Sequence, residues 1–114
     1  MNEELTRNVT AEDLLAGASA TYKVEVPANV IRPGGDVDGK PVVVELQPIT
    51  IGAFQLILKA ARDDAAMVPL LLIKESLVEP AMNLQQVQRM HLGLVEFLVE
   101  HIRGISGMGE KKNF

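Results

Sequence analysis

The chain has 114 residues, a net charge of −4 and no cysteine, so disulfides and thiolate metal sites are excluded and a reducing compartment, the cytoplasm, is expected. This length predicts one domain, residues 1–114, that buries about two-thirds of its unfolded surface. The acidic balance and the scattered basic residues argue against nucleic-acid binding. No apolar run approaches the ~20 residues of a membrane span.

The N-terminal third predicts a short helix and two strands. Thr10 and Asp13 have capping-box spacing, which favours a helix from Ala11 to Ala16, with a polar turn as the alternative. Alternating apolar residues predict strands at Thr21–Val26 and Pro41–Gln47. Turn residues between them, including Asp36 and Asp38, indicate an antiparallel hairpin with a long loop. Val43 is an apolar residue on the outward face of the second strand and therefore a candidate for self-association.

Helical periodicity follows the hairpin. Thr50 is the expected N-cap of an amphipathic helix whose apolar face is formed by Ile51, Phe54, Ile57, Leu58 and Ala61. Asp63 and Asp64 precede a second helix that we expect to run through Val78 and to be central. Pro69 either kinks this helix or lies in its first turn.

The last predicted helix extends from Asn83 to Ser106 and ends before Gly107. Its apolar arc covers about 220°, whereas a surface helix usually needs little more than about 100°. We expect one seam of this helix to be core and the other to contact a partner. The core seam comprises Leu84, Val87, Leu94 and Leu98, and the predicted protein-binding seam comprises Leu92, Val95, Val99 and Ile102.

Groups with catalytic or metal-binding chemistry do not form a recognisable site. His91 and His101 would lie some 15 Å apart on one helix, too far to share an ion. The acidic pairs resemble turn and cap residues rather than catalytic carboxylates. We therefore expect no catalytic residue, no cofactor and no metal, and a protein that is not an enzyme.

Several segments, taken in order, resemble a known family. They are Ala-Glu-Asp-Leu-Leu-Ala-Gly, Tyr-Lys-Val-Glu-Val-Pro, Leu46–Ile51 leading into a helix, Leu77–Pro80, and a long helix ending Ile-Ser-Gly. Over about residues 10 to 107 the chain resembles the tail assembly chaperones of long-tailed bacteriophages, prophages and contractile injection systems. The glycine-rich insert at 34–39 is longer than the hairpin of that family.

The resemblance implies a non-enzymatic protein that self-associates and coats the helical tape measure protein until tail-tube subunits polymerise. The tail tube protein is a further candidate partner. The alternative is a permanent structural adaptor or tube-associated subunit of the tail or injection apparatus. Both fit the predicted α+β fold, an N-terminal antiparallel β-hairpin packed on a three-helix domain with flexible tails at 1–9 and 108–114.

Overall fold

The computed structural model describes residues 8–35 and 39–108, and within them it has an α+β fold, which confirms the predicted class. The strands are β1 (Tyr22–Val26), β2 (Val42–Leu46) and β3 (Leu77–Glu79). The helices are α1 (Ala11–Leu15), α2 (Ala28–Ile31), α3 (Ile51–Ala61), α4 (Met67–Ser76), α5 (Leu84–Val87) and α6 (Leu92–Ile105). The predicted turn at Asp36 and Asp38, and the tails apart from Asn8, Val9 and Met108, lie outside the described residues.

Side-chain caps start three helices at residues that the sequence predicts. Thr10 and Asp13 form the capping box, with the Asp13 amide donating to Thr10 Oγ1 at 3.2 Å and the Thr10 amide donating to Asp13 Oδ2 at 3.0 Å. Thr50 Oγ1 accepts from the Ala53 amide at the start of α3. Asn83 caps a helix, but that helix is the short α5.

The predicted hairpin is present, and it belongs to a three-stranded antiparallel sheet of order β1-β2-β3. Val24 lies opposite Val44, and Tyr22 lies opposite Leu46. Because side chains alternate along a strand, Val24, Val26 and Leu46 share the face that is buried against the helices.

The third strand corrects the prediction that the second long helix continues through Val78. This helix, α4, ends at Ser76, and the next three residues pair with β2. Two causes act together. Glu79 precedes Pro80, which disfavours helical backbone there, and the open edge of β2 offers hydrogen bonds to an extended segment. Pro69 lies in the first turn of α4, where a missing amide costs little.

The core lies between the sheet and helices α4 to α6. Its buried members are Val24, Val26, Leu46, Ile73, Leu77, Val87, Leu98 and Ile102. α4 packs against α3, α5 and α6, so the predicted central position of this helix is confirmed. No helix in the described ranges has both the length and the apolarity that crossing a membrane requires.

The prediction of one continuous helix from Asn83 to Ser106 is wrong. The amides of Arg89 and Met90 donate to carbonyls three residues back, which closes α5 with tight turns. His91 then adopts an extended conformation and becomes the N-cap of α6. The two histidines therefore do not lie on one helix, and the helical wheel drawn through both segments does not describe a real surface.

A tertiary contact stabilises this break. His91 Nδ1 accepts a hydrogen bond from the Leu94 amide, while Nε2 donates to the Val30 carbonyl of α2 at 2.8 Å. One imidazole thus caps α6 and joins it to α2.

Substitution of His91 should separate these two contributions. His91→Ala loses both the cap and the bond to Val30, so we expect a loss of about 2 kcal/mol in the free energy of unfolding. His91→Asn keeps a good N-cap and should lose about half as much. Urea unfolding measures both variants, and equal stability of His91→Ala and the unchanged protein would contradict the assignment.

Candidate protein-binding groove

An apolar groove lies where the start of α3, the first turns of α4 and the end of α6 meet. Its volume is about 400 Å³. Apolar side chains form most of its walls, namely Ile49, Ile51, Phe54, Val68, Leu72, Ile102 and Met108. Among the described residues that line it, Arg103 carries the one charge.

Two backbone anchors hold the wall that leads into α3. Ser76 is fully buried, and its hydroxyl donates to the Gln47 carbonyl at 2.6 Å while the Gln47 amide donates to the Ser76 carbonyl at 2.8 Å. Farther along, the Ile49 amide donates to Ser106 Oγ at 2.9 Å. The segment between β2 and α3 is therefore tied to α4 and to the end of α6.

The opposite wall is shaped by the way α6 ends. The Gly107 amide donates to the Gly104 carbonyl and the Met108 amide donates to the Arg103 carbonyl at 2.7 Å, which is a Schellman motif. Gly107 has φ of 86°, a conformation that favours glycine. This turn folds Met108 back so that its side chain lines the groove.

The groove hydroxyls are already engaged in local structure. Thr50 Oγ1 accepts from the Ala53 amide, and Ser106 Oγ accepts from the Ile49 amide. Neither hydroxyl lies beside a base that would activate it as a nucleophile in this lining. The groove therefore offers apolar contact to a partner, and Arg103 adds one positive charge at its rim.

Helix α3 presents more apolar surface than its own packing uses. Eight of its eleven residues are apolar, yet only Ile57 and Ala61 are buried. Ile51 is 73% exposed on the groove side, and Leu56 is 67% exposed on the opposite flank. The sequence pattern of this helix predicts an ordinary amphipathic helix with a single buried face. Leu56 lies outside the predicted apolar face of this helix, and its position there could have indicated the excess apolar surface.

The residues predicted to bind a partner have different environments. Leu92 is 83% exposed, and Val95 and Val99 are half-buried against the core. Ile102 is 1% exposed and belongs to the core, so its placement on an outer seam is wrong. The reason is that α6 turns this residue towards the sheet and α4. In the predicted core seam, Val87 and Leu98 are buried as expected.

Val95 and Val99 line a shallow depression beside the groove. Pro69 of α4 forms its far side, and Glu96, Glu100 and Arg103 surround it. Arg103 also lines the groove, so the two concavities are adjacent. Val43 is 53% exposed on the outward face of the sheet, away from the core.

The histidines serve structural contacts. His101 Nδ1 donates to the Phe97 carbonyl at 3.0 Å, and its ring lies 4.4 Å from the ring of Phe97. His91 is the N-cap of α6. Within residues 8–35 and 39–108, no three His, Cys, Asp or Glu side chains are grouped so that they could hold a metal ion.

No family model matches the chain, and no curated protein or solved structure matched it.

Alanine substitutions should distinguish surface apolar residues from core residues on the same helix. Ile51→Ala and Leu56→Ala remove side chains that contribute little to folding, so each should change the free energy of unfolding by less than about 0.5 kcal/mol. Ile57→Ala removes a buried side chain and should cost about 3 kcal/mol. Urea unfolding provides the comparison; a loss at Ile51 as large as that at Ile57 would mean that the groove wall is core.

Proposed function

We propose that this protein is a non-enzymatic assembly chaperone that self-associates and binds the helical tape measure protein during assembly of a phage-like tail. The tail tube protein is a further candidate partner, and the bacterial cytoplasm is the expected location. The observation that carries the proposal is the apolar groove beside α3, together with the exposed apolar residues that continue from it. The family resemblance of the sequence supplies the identity of the client.

The groove has the character expected of a site for an amphipathic helix. Such a helix places apolar side chains at intervals of three and four residues into a concave apolar surface. Ile51 and Met108 are exposed at the groove and could cover these side chains. Arg103 at the rim favours a client helix with an acidic residue beside its apolar stripe.

The neighbouring depression extends this surface along α6. Val95 and Val99 lie there, and Leu92 is one turn closer to the start of the helix on the same stripe. The 14 residues of α6 span about 21 Å, which equals roughly four turns of a bound helix. Leu92, Val95 and Val99 therefore remain proposed client contacts, and Ile102 is removed from that set because it is buried.

The alternative, a permanent tail subunit, predicts a different protein composition of the finished particle. A chaperone leaves before assembly is complete, whereas an adaptor or tube-associated subunit remains. Mass spectrometry of purified particles distinguishes them: we expect this chain to be absent from finished particles, and its presence in stoichiometric amount would favour the structural subunit.

Glutamate substitutions on the two flanks of α3 test the groove directly. Ile51→Glu places a charge on the groove wall and should weaken binding of a coexpressed tape measure protein about a hundredfold, because apolar contact is lost and the charge is desolvated. Leu56→Glu makes the same change at a similarly exposed site on the opposite flank and should leave binding unchanged. Co-purification and client solubility are the measurements.

Thermal unfolding of both variants controls for a folding defect. Equal client binding by Ile51→Glu and the unchanged protein would reject the groove as the client site. If the unchanged protein neither co-purifies with the client nor raises its solubility, the chaperone function itself is rejected.

A further inference from the structure

The outer edge of β1 has no partner strand. The strand order is β1-β2-β3, so β1 pairs with β2 on one side only, within the part of the chain that the structure describes. In an antiparallel strand every second residue directs its amide and carbonyl away from the neighbour it already pairs with. β1 therefore presents backbone hydrogen-bonding groups along its outer edge.

The exposed residues of β1 and of the segment before it are consistent with an accessible edge. α1 and the 3₁₀ turn that follows it, Ala16–Ser19, precede β1 and contain no buried residue. Tyr22, Lys23 and Glu25 of β1 are all exposed, and Tyr22 is 40% exposed although it lies on the apolar face of the sheet. An open edge of this kind is a template for another strand.

The charges along β1 specify the strand that fits. We propose that a second copy of this chain pairs through β1 in an antiparallel arrangement with Val24 opposite Val24 of the second copy. In that register Lys23 lies opposite Glu25 of the second copy, and Glu25 lies opposite its Lys23. Both cross-strand pairs join opposite charges on the outward face, which stabilises the pairing.

Neighbouring registers lose this complementarity. Centring the pair on Lys23 places two lysines opposite each other, and centring it on Glu25 does the same with two glutamates. A shift by one residue brings charged side chains opposite apolar ones, because side chains alternate between faces. The sequence of β1 thus favours the Val24-centred register over its alternatives.

The apolar face is consistent with the same register. Tyr22 lies opposite Val26 of the second copy, so the apolar residues of both strands fall on the same face, with Val26 itself fully buried in its own core. The result is a continuous six-stranded sheet. The other edge is less suitable, since β3 has three residues and Pro80 follows it directly.

This inference specifies the surface for the self-association that the proposed function includes, and it rests on that part of the proposal. Val43 lies one strand inward, opposite Glu25 on β1. It would border the new interface and not form its centre. Client binding at the groove is a separate property.

Charge reversal with complementation tests the pairing. Lys23→Glu creates two Glu–Glu pairs in the homodimer, and Glu25→Lys creates two Lys–Lys pairs. Each variant alone should self-associate about tenfold or more weakly than the unchanged protein. Mixed together, they restore opposite charges at both positions, so they should form a heterodimer as tight as the original, and the double variant Lys23→Glu/Glu25→Lys should also recover association.

Sedimentation equilibrium over a concentration series gives the dissociation constants. The mixture controls for folding, because Lys23 also lies opposite Glu45 within the monomer and Lys23→Glu could lower stability there. If the unchanged protein is a monomer throughout, self-association fails both here and in the proposed function. If it associates but neither single variant is weakened, or mixing restores nothing, only the β1 interface is rejected.

Discussion

The reciprocal hydrogen bonds between Gln47 and Ser76 join the end of β2 to the end of α4. The position of the apolar groove depends on this junction. These hydrogen bonds lie where β2 leaves the sheet and where α4 becomes β3. Because Ser76 is fully buried, its hydroxyl has no water to replace the Gln47 carbonyl. This junction sets the direction in which the chain enters α3, and α3 is one of the three helices that bound the groove.

The same junction links the groove to the core. Ile49 follows Gln47 closely, and its amide is held by Ser106 at the end of α6. The Schellman turn after Ser106 then brings Met108 to the opposite wall. The groove is thus bounded by segments whose backbone is hydrogen-bonded to the core helices, while Ile51 and Met108 remain exposed on its walls. Such a surface can receive a helix without rearrangement of the fold.

The two proposed surfaces bind their partners through different interactions. The groove relies on apolar contact, which is non-directional and tolerates many amphipathic sequences. The β1 edge relies on backbone hydrogen bonds and on the order of Lys23 and Glu25, which select one register. A protein that binds a long helical client and also a copy of itself benefits from keeping these modes apart, since neither surface then competes for the other's partner.

The sequence by itself determined the helix starts at Thr10, Thr50 and Asn83, the alternation of β1 and β2, and the α+β class, because caps and side-chain periodicity act over a few residues. Tertiary structure alone decided three features. It separated α5 from α6, because His91 forms a hydrogen bond with Val30. It made Leu77–Glu79 a strand, because β2 has an unpaired edge with which this segment can pair. It also buried Ile102 while leaving Ile51 exposed. Each depends on a partner distant in sequence, which a local pattern does not contain.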